Sequence, residues 1–189
     1  MVKYSLVIYL DEKLTQKIRV IQNALSILTG SRASLNFWEP HITIGAGVEV
    51  TDKDFSSFCK EIEEAIKNLK PFKVKIKNYG FMDNWMGGKL KGYAKYVIYL
   101  NIIKNKKLQN LFLVIKEKVT DKRTLFYGQI SSYNPHLTVA FKDLDKKSFF
   151  KAKEIFKKEK FEDEILVDHI ALAKENKKGR WKECKKFEF

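Results

Sequence analysis

This chain of 189 residues is short of several things that would have settled its class at once. It has two cysteines, Cys59 and Cys184, without the paired spacing of a zinc site or the density of a disulfide framework, so both are expected to be reduced thiols. No apolar run approaches the ~18 residues of a membrane helix. Ser5 to Leu10 is cut off by Asp11 and Glu12, too short and too soon charged for a secretory signal, so a cytoplasmic protein is expected. No GxxxxGK[ST] loop is present to cradle a nucleoside triphosphate. Histidine is scarce too, with three in the chain.

Two of those three histidines sit in nearly the same hexapeptide. Pro40-His41-Ile42-Thr43-Ile44-Gly45 and Pro135-His136-Leu137-Thr138-Val139-Ala140 place their imidazoles 95 positions apart. Each alternates apolar and polar residues with a period of two, which predicts a strand. His41 and Thr43 then share one face, with Ile42 and Ile44 on the other. His136 and Thr138 pair in the same way against Leu137 and Val139. Each strand buries its aliphatic side and offers an imidazole and a hydroxyl to whatever lies in front.

The flanking pattern repeats as well. Lys3 to Leu10 reads as a strand. Leu14, Ile18, Ile21, Leu25 and Leu28 mark a helix between an Asp11 cap and a Gly30 stop. A polar turn, Ser31 to Asn36, leads to the first His strand. Thr51 or Asp52 then opens a helix striped by Phe55, Phe58, Cys59, Ile62, Ile66 and Leu69, and Phe72 to Ile76 is a strand. Asn78 to Tyr93, rich in glycine and aromatics, suits a hairpin or flap. Tyr96 to Ile103 restarts the order: strand, helix through Val119, irregular Thr120 to Tyr133, His strand, a helix capped by Asp143 or Asp145, strand Ile165 to Lys174 and a closing strand from Trp181. Two similar lobes related by an approximate two-fold axis are expected, forming one bilobal domain over residues 1–189, with both His strands on one cleft.

Net charge is +14, from 37 Lys+Arg against 23 Asp+Glu. Either a phosphate-rich partner or a lysine-rich surface without a specific partner accounts for it. Two imidazoles facing one pocket suit general acid–base work, because histidine titrates near neutral pH. Threonines two residues on can donate hydrogen bonds to the non-bridging oxygens of a phosphodiester. Nothing beside the histidines supplies a metal site, so metal-free transfer at phosphorus is expected.

Two H-x-T motifs half a chain apart in a basic protein of this size resemble the 2H phosphoesterase superfamily, which includes the 2′-5′ RNA ligase-like proteins and the 2′,3′-cyclic nucleotide phosphodiesterases. The resemblance spans nearly the whole chain and is specific at residues 40–45 and 135–140. It implies an α+β, bilobal fold: two mainly antiparallel sheets lining a central cleft, helices outside. It also implies catalytic His41 and His136, phosphate-binding Thr43 and Thr138, and action on 2′,3′-cyclic phosphate ends of RNA or small cyclic nucleotides. A monomer without metal, cofactor or membrane partner is expected. End joining or exonuclease activity at the same site, or RNA binding without turnover, are the alternatives. Tyr133 lies where such proteins often place an aromatic near the substrate; base stacking and core anchoring are both open to it. Lys95 and Arg123 read as solvated charge, and His169 as a structural histidine.

Overall fold

The computed structural model describes residues 1–85, 94–123 and 133–189. Eight strands carry the architecture: β1 (Val2–Tyr9), β2 (His41–Val50), β3 (Phe72–Met82), β4 (Ala94–Ile102), β5 (His136–Lys142), β6 (Glu162–Val167), β7 (His169–Glu175) and β8 (Trp181–Glu188). They form one antiparallel sheet in the order β6-β3-β4-β5-β2-β1-β7-β8. The two His strands lie side by side at its centre, and the two four-stranded halves join there through the single pair Ile42–Leu137. The α+β fold with helices outside is the one expected, the two sheets being linked at this seam.

The helices are α1 (Glu12–Thr29), α2 (Ala33–Asn36), α3 (Phe55–Ile66), α4 (Lys106–Ile115) and α5 (Lys146–Phe156). α1 begins where Asp11 accepts a bond from the Leu14 amide and stops at Gly30, whose φ of 77° is open to glycine at little cost. Its buried stripe of Leu14, Ile18 and Leu25 joins a continuous core with Ile42, Ile44, Phe58, Ile62, Leu137 and Phe149. The helices cross over. α1, which links β1 to β2, packs on β5 and α5, while α4, which links β4 to β5, packs on β2 and α3. Each His strand is therefore backed by the helix that leads into the other.

Register repeats between the halves. Tyr9 faces His41 and Val7 faces Thr43; Asn101 faces His136 and Tyr99 faces Thr138. Immediately after each threonine the pairing slips, so that Leu6 meets Gly45 and Ile98 meets Ala140. A bulge of this kind adds twist and re-aims the neighbouring side chains. It also accounts for the small sixth residue of the motif: a Cβ on Gly45 would lie 3.1 Å from both Leu6 Cδ1 and Thr120 Cγ2.

Several local expectations are corrected. The single strand expected over Ile165 to Lys174 divides at Asp168 into β6, which pairs with β3, and β7, which pairs with β1. The strand expected to end at Ile76 continues to Met82, through a slip at Asn78, which sits at φ 57°. Gly80 lies inside it because the Tyr99 ring covers that position, 2.3 Å from where a Cβ would stand. Of the expected flap, residues 78–82 are thus strand, and 86–93 lie outside the described residues, as do residues 124–132. The expected turn Ser31–Asn36 contains the short helix α2, whose first amides, Arg32 and Ala33, donate to Asp143 at 2.8 and 3.1 Å. Asp143 therefore serves α2, and Asp145 alone caps α5 through the Ser148 amide.

Candidate active site

His41 and His136 open their strands straight after a proline, and the two rings are held alike. His41 Nδ1 lies 2.8 Å from the Glu39 carbonyl oxygen, and His136 Nδ1 lies 2.9 Å from that of Asn134. A carbonyl only accepts, so each Nδ1 carries the proton and each Nε2 is left as the free lone pair. The intervening proline fixes its own φ and holds the residue before it extended, which brings the carbonyl two residues back into reach of the ring.

Both histidines and both threonines line one cleft of about 110 Å³, with Ser5, Gln22 and Ser34 also on its walls. Burial pulls the His41 imidazole from its usual 6.5 down to about 4, helped by the neighbouring His136 and opposed by the Glu39 carbonyl. Burial also lowers His136, against the Asn134 bond. Burial in the cleft thus disfavours positive charge on either ring.

The surroundings differ between the rings. Trp38 stacks on His41 at 4.0 Å between centroids and on Trp181 at 4.4 Å, so both its faces are taken; its Nε1 donates to the Tyr9 hydroxyl. His136 instead meets the edge of Tyr99, 5.2 Å away. The segment carrying the Glu39 carbonyl is clamped by Arg19. Its guanidinium donates to the Ser34 and Trp38 carbonyl oxygens at 3.1 and 3.4 Å and pairs with the Glu39 carboxylate at 2.7 Å. Lys142 joins the cleft wall with Phe37, Trp85 and Phe141. Its backbone adopts φ 67°, which costs a side-chain-bearing residue about 1–2 kcal/mol, and its ammonium lies 4.1 Å from the Phe37 ring centre.

Of the residues singled out in the sequence, His41, His136, Thr43 and Thr138 come together, and Tyr133 does not join them. Tyr133 stacks on Phe112 at 4.1 Å, and its hydroxyl donates to the Thr43 carbonyl oxygen at 3.4 Å, fastening the approach to β5 onto β2. Burial pushes its phenol well up. Arg123 is held by Glu61 through two bonds of 2.8 Å, Lys95 lies over Tyr96, and His169 Nδ1 pairs with Asp168. Among the described residues no group of three or more His, Cys, Asp or Glu side chains is placed to hold a metal ion. Among those residues, too, no helix is long and apolar enough to cross a membrane. Arg19, Trp38, Tyr99 and Lys142 are site neighbours that the sequence pattern did not single out. The strand register alone pointed to Tyr99, opposite Thr138.

Two H-x-T strands meet at the centre of the antiparallel sheet with crossed helices behind, and the fold is that of the 2H phosphoesterase superfamily. The chain belongs to the 2′-5′ RNA ligase superfamily, whose family model matches residues 7–179. No curated protein matches the sequence. Among solved structures, E. coli LigT complexed with 3′-AMP superposes with a TM-score of 0.73 at 14% identity, over 100% of this chain and 98% of that one. TT0787 of Thermus thermophilus gives 0.66 at 13%, over 98% and 97% of the two chains. Kluyveromyces marxianus Usb1 gives 0.52 at 7%, over 100% and 97%. At such identities the likeness is one of fold.

Proposed function

We propose that the protein is a phosphoesterase that opens 2′,3′-cyclic phosphates at RNA ends or in small cyclic nucleotides, using His41 and His136 as acid and base and Thr43 and Thr138 to hold the phosphate, without a metal ion. The observation that carries this is the matched tethering: two imidazoles on one cleft, each with Nδ1 committed to a carbonyl and Nε2 free. One neutral Nε2 takes a proton from water as its oxygen bonds to phosphorus. The other ring, protonated, gives its proton to the ribose oxygen as the phosphorus–oxygen bond to that oxygen breaks. A phosphomonoester and a free hydroxyl result, and each proton transfer contributes ~10²–10⁴-fold. The threonine hydroxyls donate to the non-bridging oxygens, whose charge grows in the transition state.

The E. coli LigT structure holding 3′-AMP supports a nucleotide phosphate as the ligand class. The test is incubation with 2′,3′-cyclic AMP in the presence of EDTA. Turnover that His41→Ala or His136→Ala each abolishes is the expected result. Loss of activity to chelator alone refutes the metal-free mechanism. RNA binding that survives both substitutions, with no hydrolysis of the cyclic phosphate, refutes the enzyme reading in favour of a binding module.

A further inference from the structure

Among the described residues, one fully buried side-chain polar atom has no hydrogen-bond partner, and it belongs to a residue of the cleft wall: Ser34 Oγ. The residue is 6% exposed. A hydroxyl sealed in this way has given up its bonds to solvent, and regains them only from a group that enters beside it. Ser34 lines the same cleft as His41, His136, Thr43 and Thr138, so the group that enters is one the cleft holds.

The surroundings fix this hydroxyl in place. The Arg32 and Ala33 amides fasten α2 to Asp143, and the Ser34 carbonyl oxygen accepts from Arg19 Nη1 at 3.1 Å. Gln22, 3% exposed and also on the cleft wall, is held by the same guanidinium. Its Oε1 accepts from Arg19 Nη1 at 3.0 Å. A guanidinium only donates, so the amide nitrogen is the end that turns toward β5. That nitrogen lies 3.5 Å from the Thr138 carbonyl oxygen, and among the described residues its second N–H has no acceptor. The wall thus offers one hydroxyl and one amide N–H that neither H-x-T motif uses.

At about 110 Å³ the cleft matches roughly four water molecules at ~30 Å³ each, enough for a phosphoryl group and about one water more. A water held there needs about two to four polar partners. The threonine hydroxyls are taken by the non-bridging oxygens, which leaves Ser34, Gln22 and an imidazole for the water.

We propose that Ser34 and Gln22 hold the water that attacks phosphorus. The proposal rests on the phosphoesterase reading and deepens it by naming what positions the nucleophile. The water accepts from the Gln22 amide, donates one proton to the neutral imidazole that acts as base, and donates the other to Ser34 Oγ. One lone pair is left for phosphorus. As the new phosphorus–oxygen bond forms, the first proton passes to that imidazole. The bond from phosphorus to the ribose oxygen breaks as the other imidazole protonates that oxygen. The proton on the Ser34 side stays with the new phosphate oxygen. An alcohol has no second proton to give and would set a carbon against Ser34. The arrangement therefore selects water over a ribose hydroxyl, and hydrolysis over end joining.

The test runs 2′,3′-cyclic AMP in water–methanol mixtures, where water yields a phosphomonoester and methanol a methyl phosphodiester. In Ser34→Ala, kcat for hydrolysis is expected to fall ~10-fold, about one hydrogen bond at a reacting group, and the ratio of monoester to methyl ester ~5–10-fold. The Kd of 3′-AMP stays within about twofold of the wild type, since uniform binding is untouched. A packing role alone would lower both products together. An unchanged ratio therefore overturns the proposal. So does a loss of 3′-AMP affinity equal to the loss in kcat/KM, which would make Ser34 a phosphate ligand.

A structural arm separates this failure from failure of the phosphoesterase reading. Crystals of the free wild-type protein are expected to show a water within hydrogen-bond distance of both Ser34 Oγ and Gln22 Nε2, and crystals of Ser34→Ala to lack it. That pair of results supports the water site even if cyclic phosphates are not hydrolysed. A wild-type crystal without that water, or a variant that keeps it, overturns the proposal even if they are.

Discussion

Lowering the pH from 7 to 4.5 forces a proton onto His41 in a setting that resists one. Its folded-state value of about 4 lies well below the 6.5 of an exposed imidazole, because burial disfavours the charged ring. The unfolded chain therefore binds more protons than the folded one between these values, and stability rises with pH across that window. At about 1.36 kcal/mol per unit, the loss on going from pH 7 to 4.5 is about 2–3 kcal/mol, a sizeable share of a typical domain's total. His136, also lowered by burial, adds in the same direction. The ion-paired carboxylates Glu61 and Asp163 are held below their ordinary values, so their contribution is lost only as pH falls through lower values still. The measurement is a series of urea unfolding curves from pH 4.5 to 7.5 for the wild type and for His41→Gln, which keeps an amide to reach the Glu39 carbonyl but cannot ionise. Subtracting the two cancels the titrating groups that do not interact with His41, and the difference should shrink by about 2–3 kcal/mol as pH falls. Proton NMR of the imidazole Cε1 hydrogens reads the same quantity directly. A stability difference flat across the window, or a His41 midpoint between 6 and 7, would refute the burial argument.

Catalysis should show the same depression: with both rings lowered by burial, the protonated partner is lost at a lower pH than an exposed imidazole would lose it, so the alkaline fall of kcat/KM comes early and that of kcat, read with the anionic substrate bound, comes at higher pH. Thr43→Val and Thr138→Val should each slow turnover ~10–10³-fold while thermal unfolding moves little, since one donor goes at nearly constant volume; unchanged rates in both would remove the hydroxyls from the phosphate. Arg19→Gln frees the backbone that orients His41, and kcat should fall up to ~10²-fold with little change in KM; an effect confined to KM would show that Arg19 does not act through the imidazole. Gly80→Ala drives a methyl into the Tyr99 ring, and should destabilise by about 1–3 kcal/mol and slow turnover through His136; wild-type kinetics in a folded variant would disconnect Tyr99 from the site.

What could be read from residue order was whatever rests on periodicity and on local caps. α1 is one case, with Asp11 and Gly30 at its ends; the His strands are another, since each motif alternates cleanly and recurs. The extension of β3 was hidden because Asn78 and Gly80 look like loop residues. The first takes a left-handed backbone inside a strand, and the second makes room for a ring from the next strand. The Arg19 clamp was hidden for another reason: its partners are largely backbone carbonyls, which every residue owns and no residue type announces. Asp143 misled through proximity, lying next to α5 but bonding to α2 from more than a hundred positions away. Tyr133 sits two residues before the second motif's proline, yet its ring turns to Phe112, where packing covers more of it than a cleft wall could.

The crossed helices have a consequence for any attempt to take the molecule apart. Since α1 shelters β5 and α4 shelters β2, a chain severed between β3 and β4 yields two fragments, each carrying a helix that roofs its sibling's motif strand. Neither piece is self-sufficient, and the imidazoles can be brought face to face only by reuniting both, which makes complementation of separately expressed fragments the natural way to rebuild the cleft.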